Sequence, residues 1–340
     1  MEPIAFPLLV ALVVLALAFD AVNGMHDAAN SIATMVSTRM MKPGWAVAWA
    51  PFFNFIAFLF FGVAVAKTVG AGIIDKDVIS PAVIFGALMG AIIWNLLTWW
   101  WGMPSSSSHA LVGGLLGAGI SKAGLPAVVL SGTLKTAGGI VLSPAVGMSI
   151  AMLLMLLIAW GFRRVAVMTA DKVFRPLQFV ASSLYSLGHG ANDAQKTMGI
   201  IAVLLYSQGM LDGADGASGD KLPIPLWVVL TCQLAMGIGT LVGGWRIVKT
   251  MGSKITKMSQ SQGFAAQTSG AIALFLATNY GVPVSTTQTI AGSITGVGVA
   301  RGTGAVRWSV ARDILITWIL TMPAAAIMGA LFYKLATLFG

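Results

Sequence analysis

Long apolar runs follow one another along the chain, and four short polar islands interrupt them. The runs cover Pro3 to Val22, Trp45 to Ala66, Ser80 to Trp101, residues 125 to 162, Leu177 to Tyr206, Leu226 to Trp245, Phe264 to Tyr280 and the stretch after Arg312. A helix crosses a bilayer with about 20 apolar residues, so a chain of 340 allows roughly ten spanning or re-entrant helices. Short alternating segments, the mark of a transmembrane barrel, do not occur. The pattern predicts an all-α polytopic membrane protein.

The islands form two matched pairs. Asn23-Gly24-Met25-His26-Asp27-Ala28-Ala29-Asn30-Ser31 answers to His189-Gly190-Ala191-Asn192-Asp193-Ala194-Gln195-Lys196-Thr197 at an offset of 166 residues. Met103-Pro104-Ser105-Ser106-Ser107-Ser108-His109 answers to Val282-Pro283-Val284-Ser285-Thr286-Thr287-Gln288 at an offset of 179. Lys67-Thr68-Val69-Gly70 with Lys249-Thr250-Met251-Gly252, and Pro144 with Pro323, extend the match in the same order. The chain thus reads as one transport domain made of a repeat over about 1–162, a basic linker 163–176 and a second repeat over about 177–340.

Glycine beside polar side chains at membrane depth predicts a broken helix at Asn23-Gly24, and Ser143-Pro144 predicts another break. The glycine-rich segment Ser105 to Ile120 is too polar at its start for an ordinary span. It reads as the returning arm of a re-entrant hairpin, with Ser285 to Ala300 as its counterpart. If the basic segments 39–42, 163–175, 246–257 and 301–312 all face the cytoplasm, the halves enter the membrane from opposite sides and both termini lie outside. The acidic loop 207–222 then faces outward. Two inverted repeats whose hairpin tips meet near the midplane are an architecture of secondary transporters.

Composition sharpens this. The chain is 57% hydrophobic and 9% charged, against about 25% charged in soluble domains. The net charge of +9 sits in short clusters between apolar runs, not on one amphipathic face, which argues against nucleic acid as a partner and for the lipid bilayer. Cys232 is the one cysteine, which excludes a disulfide within the chain and argues against a cysteine metal cluster. The apolar start lacks a basic n-region and reads as a retained first helix.

The islands carry the chemistry. A proline followed by hydroxyl residues starts a helix, and a helix starting inside the membrane offers free N–H groups and partial positive charge. With Ser105, Ser106, Ser107 and Ser108 on one tip and Ser285, Thr286 and Thr287 on the other, that suits an oxyanion. Gln288 and Lys196 complete the candidate anion set. Asp27 and Asp193, with the amides of Asn30 and Asn192, offer hard oxygen ligands for a cation such as Na⁺. A carboxylate in a membrane segment costs about 2.5 kcal/mol or more unless paired or hydrated, and pairing with Lys196 is the structural alternative for Asp193. Asp20 is a weaker candidate of the same kind. An oxyanion beside two carboxylates requires accompanying positive charge, so symport with Na⁺ or H⁺ is expected, with His109 as a proton relay. No two histidines have metal-ligand spacing, so no resident metal or cofactor is expected. Asn54 and Asn95 read as packing contacts.

Gly24-Met25-His26-Asp27-Ala28-Ala29-Asn30-Ser31 and His189-Gly190-Ala191-Asn192-Asp193-Ala194-Gln195-Lys196-Thr197-Met198-Gly199 together resemble the paired signature of the inorganic phosphate transporter family. The two proline-hydroxyl segments are similar to that family's hairpin tips, and the resemblance covers essentially the whole chain. It implies an inverted-repeat symporter, a homodimer, moving inorganic phosphate with Na⁺ or H⁺, in some members as a metal–phosphate complex. The compact length resembles bacterial members, which places the protein in the cell (inner) membrane as a multi-pass protein. His26 departs from the pattern, standing where the second copy has Asn192. A sulfate permease is the rival within the class. A passive anion channel and a membrane-embedded enzyme are further alternatives; the enzyme is disfavoured because no nucleophile–base pair appears.

Overall fold

In a computed structural model, residues 5–211 and 223–339 are described. Asp212, Asp215, Asp220 and Lys221 of the acidic loop lie outside the described residues. The first half contains α1 (Phe6–Ser37), α2 (Pro43–Ile56), α3 (Ala64–Gly72), α4 (Pro81–Trp101), α5 (Ser107–Ala123) and α6 (Leu130–Gly161). The second contains α7 (Val167–Ser207), α8 (Leu226–Val242), α9 (Trp245–Lys249), α10 (Gln260–Asn279), α11 (Thr286–Arg301) and α12 (Trp308–Phe339). No strand occurs among the described residues, only one isolated bridge between Ile74 and Val128.

Phe6–Ser37, Pro81–Trp101, Leu130–Gly161 and Trp308–Leu338 are each long and apolar enough to cross a membrane. Two further helix pairs pass the same test only together and are sharply bent. Pro43–Leu59 turns by 87° into Ala64–Gly70, and Leu226–Val242 turns by 65° into Trp245–Lys254. Large apolar side chains such as Leu142, Leu156 and Trp160 on α6, and Ile319, Ile327 and Leu331 on α12, point outward. Among the fully buried side chains are Asp20, His26, Asp193 and Thr197, so the polar groups lie inside and the apolar ones face lipid.

The breaks are not where the sequence placed them. α1 runs unbroken through Asn23-Gly24, α7 is unbroken through its own island, and α6 carries Pro144 without interruption. Gly24 is needed for packing: a Cβ there would meet the Met236 carbonyl oxygen of α8 at 2.1 Å. Its counterpart Gly190 does the same on α7, where a Cβ would meet the Asn54 oxygen of α2 at 2.3 Å. The breaks fall instead within the runs 45–66 and 226–245 that had been read as single spans. Lys67 is consequently on α3, and most of the linker 163–176 is the first turns of α7.

Those two glycine contacts reveal an exchange between the halves. α1 packs on α8 while α7 packs on α2 and α3, and α6 lies along α11 while α12 lies along α4 and α5. Each half therefore completes the other. The hairpins α4–α5 and α10–α11 point their turns inward between the two long helices that bear the aspartates.

Candidate functional site

α1 and α7 deliver one carboxylate each. A helix repeats every 3.6 residues, so Asn23, Asp27 and Asn30 share a face of α1, as His189, Asp193 and Lys196 share a face of α7. Both aspartates are buried, and ligand atoms of Asp27, His189 and Asp193 lie within 4.8 Å of one another. The hairpin tips close over them. Ser106 and Ser285 cap α5 and α11, their hydroxyls accepting from His109 N and Gln288 N at 3.2 Å each. The prolines precede these caps by two residues and do not occupy the first helical turn.

Beyond the caps, the tip hydroxyls point at the carboxylates. Ser107 Oγ donates to Asp27 Oδ2 at 3.0 Å, and Thr287 Oγ1 donates to Asp27 Oδ1 at 3.1 Å. Thr286 Oγ1 donates to Asp193 Oδ2 at 2.7 Å. Asn30 Nδ2 donates to Thr287 Oγ1 at 2.9 Å, leaving its Oδ1 buried without a donor. Lys196 Nζ donates to Asp193 Oδ1, to Ser108 Oγ at 2.5 Å and to the Val284 carbonyl at 3.0 Å. Ser108 in turn donates to Val284 O at 3.2 Å, tying one tip to the other. His109 Nδ1 and Gln288 Nε2 are 3.4 Å apart. Since His109 and Gln288 are equivalent positions of the two repeats, this contact lies on the axis relating them.

The predicted residues thus converge, with two exceptions. Asn192 turns away from the carboxylates and donates to Thr278 Oγ1 at 3.2 Å and Val282 O at 3.4 Å. Ser105 reaches Asp27 only through His26, lying 2.7 Å from Thr98 Oγ1 and 3.1 Å from His26 Nε2. Lys196, grouped with the anion ligands from sequence, has its bonds directed to Asp193 and the two tips.

Several neighbours were missed. His26 Nδ1 is 2.8 Å from Asp27 Oδ1, and His189 Nε2 is 3.2 Å from Asp193 Oδ2. These histidines, not His109, touch the carboxylates. The four-residue spacing of His189 and Asp193 was a legible signal. Asn54 is more than a packing contact: its Oδ1 lies 3.3 Å from His189 Nδ1 and its Nδ2 donates to Thr240 at 3.2 Å. Tyr185 Oη donates to Thr286 O at 3.1 Å, anchoring the second tip. Asp20 is fully buried, with no hydrogen-bond partner on either carboxylate oxygen.

The site residues are between 0% and 3% exposed, so this conformation is closed around them. Two cavities flank it at the two helix bends. One, of about 630 Å³, is lined by Lys67, Thr68, Lys135, Thr278 and Gly281; Thr278 on its wall is the residue that Asn192 holds. The other, of about 420 Å³, is lined by Ala33, Ser37, Trp245, Lys249 and Gly252. Lys67 and Lys249, equivalent in the repeat, each line one of the two cavities, and each cavity draws its walls from both halves. The buried carboxylates offer oxygen ligands to a cation, and the tip hydroxyls beside them offer donors to an oxyanion.

Residues 23–329 match the phosphate transporter family. A probable low-affinity inorganic phosphate transporter of Rhizobium meliloti is 61% identical over 335 residues, covering 98% of each chain. One of the same description from Bacillus subtilis is 42% identical, covering 96% of each chain. Among solved structures, a sodium-dependent phosphate transporter superposes with a TM-score of 0.87 at 26% identity, covering 98% of this chain and all of its own.

Proposed function

Because the chain belongs to the phosphate transporter family, we propose that it takes up inorganic phosphate by symport with a cation, Na⁺ or H⁺, across the cell (inner) membrane. The observation that carries this reading is the meeting of two hydroxyl-bearing helix N-termini over two buried carboxylates, one from each repeat. Free N–H groups and hydroxyls stabilise an oxyanion. The carboxylates repel it, by an amount that a low-dielectric interior enlarges. A cation bound at Asp27 with Asn30 removes that repulsion, and the two ions then enter as a unit. Ser107 and Thr286 exchange their carboxylate partners for phosphate oxygens, while Thr287 stays with Asp27 and Asn30 as the carboxylates take the cation.

Asp27, His189 and Asp193 also suit a divalent ion, so a metal–phosphate complex is cargo of the same chemical kind. Transport proceeds by alternate opening of the site to the two sides of the membrane, with the repeats inverted and the protein working as a homodimer. The names of the relatives and of the solved neighbour support phosphate and, in the neighbour, sodium.

The test is uptake of labelled phosphate by proteoliposomes under separately imposed Na⁺ and pH gradients, with sulfate as competitor. Phosphate should accumulate above its equilibrium level under one of the two gradients, with sulfate competing weakly. Equal competition by sulfate, or entry without either gradient dependence, would overturn the proposal.

A further inference from the structure

The two repeats build the same hydrogen-bond scaffold around their aspartates. Position 27 is equivalent to 193, 30 to 196, 107 to 286 and 108 to 287. Ser107 donates to Asp27 at 3.0 Å as Thr286 donates to Asp193 at 2.7 Å. Asn30 reaches across to Thr287 at 2.9 Å as Lys196 reaches across to Ser108 at 2.5 Å. One difference stands out: the residue that crosses is an amide in the first repeat and an ammonium in the second.

An ammonium has three donors and no acceptor. Those of Lys196 go to a carboxylate oxygen, a hydroxyl oxygen and a backbone carbonyl oxygen, from Asp193, Ser108 and Val284. That is the ligand set of a hard monovalent cation. In the first repeat the corresponding space has Asp27, the Thr287 and Ser107 hydroxyls, and the buried, donor-less Oδ1 of Asn30. Of these oxygens Asn30 Oδ1 alone lacks a donor, at the position that carries the Lys196 ammonium in the second repeat.

We propose that the Lys196 ammonium is a built-in cation, fixed in the second repeat where the first repeat takes a transported one. Lys196 thereby sets the number of ions carried, leaving one mobile cation site at Asp27 and Asn30 where internal symmetry would provide two. This rests on the symport reading of the site. Lys196 then belongs to ion stoichiometry and not to the anion, since its donors meet a carboxylate, a hydroxyl and a carbonyl oxygen as a bound cation would. Removing the tethered charge while supplying an amide oxygen, as Asn30 does, should create a second exchangeable site.

The experiment counts radiolabelled Na⁺ bound to the purified full chain, without phosphate, for the parent, Lys196→Asn and Lys196→Met. Lys196→Asn should bind one Na⁺ more per chain than the parent. Lys196→Met, which lacks a ligand oxygen, should not. In proteoliposomes, Lys196→Asn should carry one additional positive charge per phosphate, read from the reversal potential, and should need Na⁺ more steeply. Lys196→Gln places the same amide oxygen on a longer stem and serves if the asparagine variant is not recovered folded. A folded Asn or Gln variant with the parental Na⁺ count would overturn the proposal. So would failure of both to fold at high Na⁺, because the added ion should restore the missing charge. The count uses no phosphate, so its failure is distinct from failure of the transport reading, which the parent's own uptake and sulfate competition decide.

Discussion

Thr287 is the hydroxyl on which both repeats converge at the first carboxylate. It donates to Asp27 Oδ1 at 3.1 Å and accepts from Asn30 Nδ2 at 2.9 Å. Thr287→Val keeps the branched shape and removes both bonds. A hydrogen bond to a charged group contributes about 1.5–3 kcal/mol and one between neutral groups about 0.5–1.5 kcal/mol. Taking the low end of each gives about 2 kcal/mol. Asp27 keeps Ser107 and His26 as partners, so the low end is the appropriate choice. At 1.4 kcal/mol per factor of ten, the half-saturating concentration of the coupling cation should rise by about 30-fold. Thr287→Ser, which retains the hydroxyl, should lie close to the parent. Initial rates of labelled phosphate uptake in proteoliposomes, at fixed phosphate and varied Na⁺ or H⁺ concentration, read the shift. A valine variant with the parent's cation dependence at equal reconstituted protein would refute the assignment of Thr287 to this site.

Two further expectations follow from the architecture. Gly190→Ala should deplete folded protein from the membrane, because its Cβ would lie 2.3 Å from the Asn54 oxygen and 2.7 Å from its Cα; a parental yield and melting temperature would show that α2 and α7 can separate at no cost. For topology, cysteines at the exposed positions Met210 and Met168 should differ in intact cells, an impermeant maleimide labelling the first and not the second. The buried Cys232 leaves a silent background, and labelling of Met168→Cys would refute the inverted arrangement.

Much of the site was legible because charge in a membrane segment is expensive and therefore conspicuous. Asp27, Asp193 and the hydroxyl runs stood out against apolar sequence, and a proline before serines marked where α5 and α11 start. The breaks were misplaced because glycine has two uses in a membrane helix, and sequence alone does not separate them. Gly24 is answered by Met236 and Gly190 by Asn54, partners far away along the chain. The true bends, near Phe60 to Val63 and at Gly243-Gly244, lie in apolar runs that carry no polar flag. His26 and His189 were underweighted for a related reason: which of three histidines meets a carboxylate depends on how α1 and α7 are rotated. Gln195, an amide within the motif, caps α3 by accepting from Val65 N at 2.8 Å, which no local pattern could indicate.

The central claim is that phosphate movement is tied to a cation held by Asp27. Asp27→Asn removes one charge and keeps the side chain's shape, and the full chain in proteoliposomes offers two readouts from one preparation. Exchange of internal for external phosphate at equal cation on both sides tests whether the anion still binds and crosses. Accumulation under an imposed Na⁺ or H⁺ gradient tests whether the cation still drives it. Asp27→Asn should insert normally and exchange phosphate but no longer accumulate it, with a larger loss than Asp193→Asn, where Lys196 remains in the site. Accumulation by Asp27→Asn to the parental level, with the parental dependence on the ion gradient, would contradict it.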